Sequence, residues 1–514
     1  MVLEVDVIST RRIAIDGYLY VYSREVSGTT YWDCKKVRDK VCKARACTKI
    51  IDGTVTVMKG PETSRHAHPP NHDEVAAEKI KFRVKARATE RATPAVILQG
   101  ICFSCASVVI CDYIMPISIA EELAGASGRV LCHLPERENL KKAIRRKKRK
   151  DLPPNPNSLD ELDEIPENLQ VTSIGDRFLI YDSNDTEDLE NGRVLVFATR
   201  RNLELLNSSQ MWYLDGTFKV SPSIFTQVFT VLGTYNRTPN DPQSQAVAFP
   251  YAYCLLSSKE TVQYTAALQA VLSAVQEYGI DLEPREVMSD FELAITNTVR
   301  DIFPDTRLLL CFYHLSQALY RKIQKLGLQT AYNNRDNTCV KDYTHMTAAL
   351  AFVLVGDVAR CFRLLKAAAA QNMAAFMKYF EENYVTGVAA HGRRRAVPPR
   401  YPPELWNQYV STLTDQSRTN NASEGWHNRF HLLVGRDHPD IFSIIKDFQK
   451  EQGDTEIQIM ELSLGRRVKA APKKAWTDTQ KRMKKIVESY EQYGIARYAE
   501  YLERIACNIV ISGN

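Results

Sequence analysis

Two cysteines and two histidines near the N-terminus have side chains that bind zinc. Cys34 and Cys42 have seven residues between them, and His66 and His68 follow in the segment SRHAHPP. Two thiolates and two imidazoles suit a tetrahedral zinc ion. If the His-x-His segment is extended, both rings point the same way, because side chains alternate along a strand. The spacing alone also fits two free thiols and two solvated histidines.

Three acidic residues, far apart in the chain, have the types that bind divalent metal ions. Asp215 lies in MWYLDGTFKV, Asp290 in EVMSDFELAI and Glu424 in RTNNASEGWHNRFH. Two aspartates at adjacent strand ends and a glutamate from a later helix can hold two ions about 4 Å apart. Magnesium or manganese would suit such oxygen ligands. This is the chemistry of DNA strand cleavage and strand transfer.

Each of these acids also has a structural explanation when it is taken alone. Asp215 precedes a glycine, and Asp-Gly between strands is a strong hairpin signal. Asp290 could cap the helix that follows it, and Glu424 could be a first-turn glutamate favoured by the helix dipole. The metal-binding hypothesis therefore depends on whether the fold brings the three residues together.

The segments around these acids predict an α/β fold. Five apolar segments between residues 178 and 258 have the composition of strands, and alternating helices and strands follow up to residue 324. This order is typical of a mixed sheet covered by helices. Residues 343–385 are rich in alanine, which indicates further helices, and the tail from residue 476 carries apolar residues at helical spacing.

The composition of residues 1–60 instead predicts short strands of a small antiparallel sheet, with Asp-Gly turns at 16–17 and 52–53. So few apolar residues rarely support a fold by packing alone, and such modules usually need a metal or a disulfide. Residues 73–92 then change to a helical composition.

The order of the N-terminal markers resembles a FLYWCH zinc finger over about residues 8–70. The markers are DGYLY (16–20), YWDC (31–34), CKAR (42–45) and HAHP (66–69). The resemblance implies zinc on Cys34, Cys42, His66 and His68, and a role in binding DNA or protein. Cys47 is a further thiol that could compete as a ligand.

The segments MWYLDGTFKVSPSIFTQVFTVLG, VMSDFELAI, LCFYHLSQALYRKI and RTNNASEGWHNRF resemble the transposase domain of Mutator-like elements (MULEs). The resemblance implies a ribonuclease-H-like fold with a helical insertion, which we expect at about residues 320–415. It also implies Asp215, Asp290 and Glu424 as the catalytic triad that binds magnesium. Residues 101–130 depart from the family pattern.

Three further residues are possible accessories to that triad. Cys311 and His314 match the family's Cys-x-x-His motif, and they could bind a metal or be a buried thiol and a hydrogen-bonded histidine. On a helix, His427 shares a face with Glu424, where it could contact a substrate phosphate or only a neighbouring side chain.

The strongest charge feature is a basic cluster in residues 141–150. It could bind DNA phosphate, serve as a nuclear import signal, or be a solvated helix face. Arg393 to Arg395 with Arg400 form a second candidate DNA contact. The eight members of the cluster are Lys141, Lys142, Arg145, Arg146, Lys147, Lys148, Arg149 and Lys150.

Composition narrows the class of protein. Hydrophobic residues make up 44% and charged residues 25% of the 514 residues, which excludes wholesale disorder and a multi-span membrane protein. The net charge of +6 is a mild excess, so any polyanion site must be local. The 12 cysteines are scattered and we see no signal peptide, which indicates a reducing compartment. The apolar segment 101–120, interrupted by Asp112 and Pro116, is expected as a buried helix or strand pair rather than a membrane span.

We therefore predict a nuclear, DNA-binding transposase that carries structural zinc and cuts and joins DNA with two magnesium or manganese ions. Its expected partners are DNA, further copies of the chain on DNA and an import receptor, with no membrane. The alternative is a domesticated zinc-finger protein that binds DNA in transcription or chromatin without catalysis. The expected segments are the finger at 1–72, a basic helical segment at 73–150, an acidic Pro-rich linker at 151–170, the core at 171–460 and a helical tail at 461–514.

Overall fold

The computed structural model shows two compact units, Met1–Pro154 and Asn155–Asn514. The helices and strands below refer to the described part of the chain. The structure describes residues 5–37, 41–51, 54–90, 126–136, 139–140, 142–143, 146, 152–186, 192–235, 246–391, 395–468, 474–493 and 495–511.

Six strands of the first unit form an antiparallel sheet in which each strand pairs with the next. The Asp16–Gly17 turn has positive φ at both residues (47° and 78°), the geometry of a two-residue hairpin. The predicted Asp-Gly turn at 52–53 lies outside the described residues. The strands are β1 (Val5–Ser9), β2 (Arg12–Ile15), β3 (Tyr18–Val26), β4 (Thr29–Cys34), β5 (Arg45–Ile51) and β6 (Thr54–Lys59).

A helix covers part of this sheet. The first helix, α1 (His72–Glu90), places Val75 against Ile8, Ala14 and Leu19. Its next turns pack on a short helix, α2 (Gly128–Leu131). Most of the segment 101–130, including all of 101–120, lies outside the described residues.

The second unit contains a seven-stranded mixed sheet in the order β13-β12-β9-β10-β11-β8-β7. Strands β13, β12 and β9 are parallel to one another, and the remaining neighbours are antiparallel. The predicted α/β class with a mixed sheet and helices is therefore confirmed. The strands are β7 (Leu179–Asp182), β8 (Val194–Phe197), β9 (Met211–Thr217), β10 (Gln227–Tyr235), β11 (Val247–Leu256), β12 (Glu286–Ser289) and β13 (Arg307–Leu310).

The helices of the second unit include eight in the region between β13 and residue 434, and the predicted insertion at about residues 320–415 lies within this region. Before them come α3 (Glu167–Gln170), α4 (Ser183–Thr186), α5 (Arg200–Asn207), α6 (Thr261–Gln276) and α7 (Leu293–Ile302). Those after β13 are α8 (Phe312–Lys325), α9 (Gln329–Tyr332), α10 (Cys339–Ala349), α11 (Val358–Ala368), α12 (Ala374–Phe380), α13 (Pro403–Trp406), α14 (Tyr409–Leu413) and α15 (Asn421–Val434).

The C-terminal helices pack on the insertion. The last of them contacts α10, and the Tyr501 hydroxyl donates to the carbonyl oxygen of Phe352 at 2.5 Å. The Tyr490 hydroxyl donates to Asp357 at 2.8 Å, which is a second contact between the tail and the insertion. These helices are α17 (Lys474–Glu488), α18 (Tyr490–Tyr493) and α19 (Tyr498–Ala506), and they follow α16 (Ile441–Ser463), which instead contacts α3, α15 and β11.

The acidic segment that follows Pro154 packs within the second unit. Leu162, Ile165 and Leu169 are buried, and Gln449 of α16 donates to the carbonyl oxygens of Asn168 and Val171. None of the helices in the described ranges combines the length and apolar character that crossing a bilayer requires.

Candidate metal centres

The first candidate centre lies at one end of the small sheet. Cys34 ends β4, Cys42 follows a short loop, and both thiols are buried. One ligand atom from each of Cys34, Cys42, His66 and His68 lies within 4.8 Å of the other three. The Cys34 sulfur is 3.3 Å from His68 Nε2, and the Cys42 sulfur is 3.4 Å from His66 Nδ1. The fold therefore brings together the four residues predicted from the sequence, and no other described residues form such a group.

Each histidine uses its other ring nitrogen for a hydrogen bond. His66 Nε2 is hydrogen-bonded to the Tyr20 hydroxyl at 2.7 Å, and His68 Nδ1 donates to the carbonyl oxygen of Pro69 at 2.9 Å. The ring of Tyr18 stacks on His66 with 3.8 Å between centroids. Such partners fix which nitrogen is free for a metal and raise its basicity.

The His-x-His segment differs from the expectation in its backbone. Residues 65–68 are irregular, with bends at 67 and 68, so strand alternation does not direct the two rings. They reach one point because His66 turns Nδ1 toward it and His68 turns Nε2. Burial, followed by the charge of His68, lowers the pKa of His66 to about 4, which keeps its ring neutral as a metal ligand requires.

Tyr20 was not predicted as part of this centre, and its substitution tests the hydrogen bond to His66. Tyr20→Phe should keep the buried ring in place while removing the hydroxyl, and we expect zinc affinity to fall about tenfold. Competition with a zinc chelator measures the change. Tyr22→Phe is the matched control, because Tyr22 lies on the same strand, is 40% exposed and contacts Trp32 rather than a ligand.

The second candidate centre lies at the carboxyl ends of the parallel strands. Leu214 of β9 pairs with Ser289 of β12, so the next residues, Asp215 and Asp290, stand side by side. Ser289 also pairs with Leu310 of β13, which places Cys311 in the same row. Parallel strands therefore bring the two predicted aspartates to one edge.

The third predicted acid approaches from a helix that packs on β9. Glu424 lies in the first turn of α15, as expected, and the helix begins after Asn420. The Asn420 side chain amide donates to Asp215 Oδ2 at 2.9 Å, and His427 Nδ1 is 3.6 Å from the same oxygen. Residues 420, 424 and 427 share one helix face. His314 Nε2, in the first turn of α8, is 3.8 Å from Glu424 Oε1.

Two structural alternatives for the aspartates are wrong. Asp215 and Gly216 lie inside β9, where Asp215 pairs with Thr230 of β10, so they form no hairpin turn. A Cβ at Gly216 would be 2.4 Å from Oε1 of the buried Gln227, so a larger residue would displace that side chain. Asp290 is not a helix cap, because the cap of α7 is Glu292.

The electrostatics of this edge show crowded negative charge. Burial, followed by the charge of Asp290, raises the pKa of Asp215 well above its usual range. Burial, followed by the charge of Glu292, raises the pKa of Asp290 to about 6, and burial also raises the pKa of Glu424. Carboxylates in this state gain from a bound cation. The three carboxylates do not converge as tightly as the four ligands of the first centre.

Two neighbours of these acids were missed by sequence reasoning. Glu292 accepts a hydrogen bond from the Tyr264 hydroxyl at 2.6 Å and lies 3.3 Å from Lys259 Nζ. Asn420 is fully buried against Asp215. The sequence signal for Asn420 was only its place before a helix. Cys311 is buried, and its sulfur accepts the backbone N–H of Asn420 at 3.1 Å.

The predicted DNA contacts are described only in part. Lys142 and Arg146 are exposed, whereas the other six members of the basic cluster lie outside the described residues. Arg395 and Arg400 are also exposed. Arg393 and Arg394 lie outside the described residues.

Two segments of the chain match known domain families. Residues 9–68 match the FLYWCH zinc finger domain, and this range contains all four ligands of the first centre. Residues 211–318 match the MULE transposase domain, a range that contains Asp215 and Asp290 but ends before Glu424. The two resemblances predicted from the sequence are confirmed for these two segments of the chain. No curated protein and no solved structure matches the chain.

Proposed function

We propose that this chain, which joins a FLYWCH zinc finger domain to a MULE transposase domain, is a DNA transposase of the DDE type. The observation that carries the proposal is the parallel register of β9 and β12, which sets Asp215 beside Asp290 under the helix of Glu424. In the chain, the antiparallel strands β9, β10 and β11 are followed by β12 and β13, which are parallel to β9. Asp215 lies near the carboxyl end of β9, and Asp290 directly follows β12. This order of strands supports a ribonuclease-H-like core.

The residues of this edge fit divalent metal binding. Asp215, Asp290 and Glu424 would hold two magnesium or manganese ions, since all three offer hard oxygen ligands and mutual repulsion that a cation relieves. When bound, such ions activate water or a 3′-hydroxyl and stabilise the leaving oxygen. Burial lowers the pKa of His427 to about 4, so its ring stays neutral beside Asp215 and does not compete as a cation.

The test uses full-length, zinc-loaded protein, a plasmid carrying the DNA that flanks the gene, and manganese. Wild type should nick and join this DNA only with the metal, and Asp215→Ala and Glu424→Ala should be inactive. Wild-type protein that binds the DNA and never cleaves it would favour the domesticated, non-catalytic alternative. Activity that survives in either variant would reject the triad.

The same proposal includes DNA as the partner, a nuclear location, an import receptor bound at the basic cluster and a homo-oligomer on DNA.

If the basic cluster binds DNA phosphates, the affinity for DNA should depend on salt in a measurable way. Lys142→Gln with Arg146→Gln should reduce the slope of log binding constant against log salt by about two, because each phosphate contact contributes about 0.9. Fluorescence anisotropy with a duplex across a salt series measures the slope. The control pair Arg285→Gln with Arg300→Gln, also exposed but outside the candidate DNA contacts, should leave the slope unchanged.

A further inference from the structure

Asn420 is placed as a cap of α15 but does not act as one. Its side chain makes no cap hydrogen bond to the helix backbone, although such a bond typically stabilises a helix by about 1 kcal/mol. Its amide is turned to Asp215 instead. When Asp215 is ionised, as metal binding requires, it only accepts hydrogen bonds, so the group of Asn420 that faces it is the NH₂.

The two oxygens of Asp215 each have one fixed donor. Oδ2 accepts from Asn420 at 2.9 Å, and Oδ1 accepts from the backbone N–H of Gly216 at 2.9 Å. A carboxylate has about four lone-pair positions, so each oxygen keeps one for a further ligand. The carboxylate is thereby held in one orientation, and each of its oxygens can still accept one further ligand.

Asn420 is itself held from the opposite side. The buried sulfur of Cys311 accepts the Asn420 backbone N–H at 3.1 Å, and the Phe312 N–H donates to the carbonyl oxygen of Arg418 at 3.0 Å. Cys311 directly precedes α8, and His314 in the first turn of that helix faces Glu424. The Cys-x-x-His segment therefore touches the start of α15 at two points.

We propose that Asn420 is a positioning residue that orients Asp215 for metal binding, and that Cys311 and His314 fix the start of α15, which carries Asn420 and Glu424. This inference rests on the proposed function, because it concerns the same carboxylates. It assigns the Cys-x-x-His motif a role in orienting the triad rather than in binding a metal of its own.

The test measures manganese binding by electron paramagnetic resonance in full-length, zinc-loaded protein, together with urea unfolding without manganese. Asp215→Asn defines the binding that belongs to this centre. Asn420→Ala should weaken that binding about 10- to 100-fold, the range for partners that orient a metal ligand. Asn428→Ala, which removes an exposed asparagine from the same helix, should bind manganese like wild type.

Two substitutions of Cys311 distinguish a positioning role from a general effect on the stability of the fold. Cys311→Ala should weaken manganese binding, whereas Cys311→Ser should retain most of it, because a hydroxyl oxygen still accepts the N–H. If Asn420→Ala lowers stability but binds manganese as tightly as wild type, Asn420 is only structural and this inference fails while the proposed function stands. If wild type shows no binding that depends on Asp215, both fail.

Discussion

Replacing Cys34 with serine should release zinc from the first unit and unfold its sheet. Among the described residues the apolar clusters of this sheet are small, and the largest has five buried residues, so packing contributes little. Zinc binding in finger peptides contributes about 10 kcal/mol or more at neutral pH, and that contribution is folding free energy. Metal analysis should fall from one zinc per chain to nearly none. Hydrogen exchange should become fast across residues 5–59.

Cys47→Ser is the matched control for this substitution. Cys47 lies in β5 and is a free thiol, but it is outside the group of four ligands. The sequence left it open as a competing ligand, whereas the structure predicts full zinc content in the variant. Stoichiometric zinc in Cys34→Ser, or zinc loss in Cys47→Ser, would contradict the ligand assignment.

The ligands of the first centre were predictable from residue types, but the hydrogen bond that supports them was not. A regular hairpin from the Ser27–Gly28 turn would place Val21 opposite Cys34. A bulge between Tyr22 and Arg24 shifts the register by one, so Tyr20 faces Cys34 and its hydroxyl reaches His66. A one-residue shift exchanges the two faces of a strand, and no local pattern in this segment signals it.

The second centre was likewise predictable from the sequence only in part. The strands that carry Asp215 and Asp290 were predictable from apolar runs, since buried parallel strands are locally recognisable. The contact of Asn420 with Asp215 joins residues 205 positions apart and depends on how α15 packs on β9. The sequence did not indicate Glu292 as a neighbour of these acids, because a glutamate beside a predicted helix normally indicates a solvated first turn.

Asp290→Asn should abolish strand transfer and at the same time stabilise the metal-free protein. A lost metal ligand removes several kcal/mol of transition-state stabilisation, so we expect activity to fall about a thousandfold or more. The amide oxygen of asparagine can still accept the backbone N–H of Glu292, which Asp290 accepts at 3.1 Å. The fold should therefore be retained, and plasmid nicking and joining measure the activity.

The stability gain should depend on pH. Burial and Glu292 raise the pKa of Asp290 from 3.8 to about 6, so the folded protein binds this proton more tightly than the unfolded chain does. Stability of the metal-free wild type therefore falls as pH rises from about 4 through 6, and the loss persists above 6. Asp290→Asn avoids that loss. Because Asp290 is partly exposed, we expect a gain of about 1–2 kcal/mol at pH 7 and almost none at pH 4.

Urea unfolding across this pH range, with and without manganese, measures the gain. Manganese should stabilise the wild type and leave Asp290→Asn nearly unchanged, because a ligand stabilises only the state that binds it. The exposed Asp281→Asn controls for the loss of one negative charge and should behave like wild type. A variant less stable than wild type at pH 7 would mean that Asp290 supports the fold through its charge. In that case the carboxylates that lie close together at this edge would not form a cation-binding site.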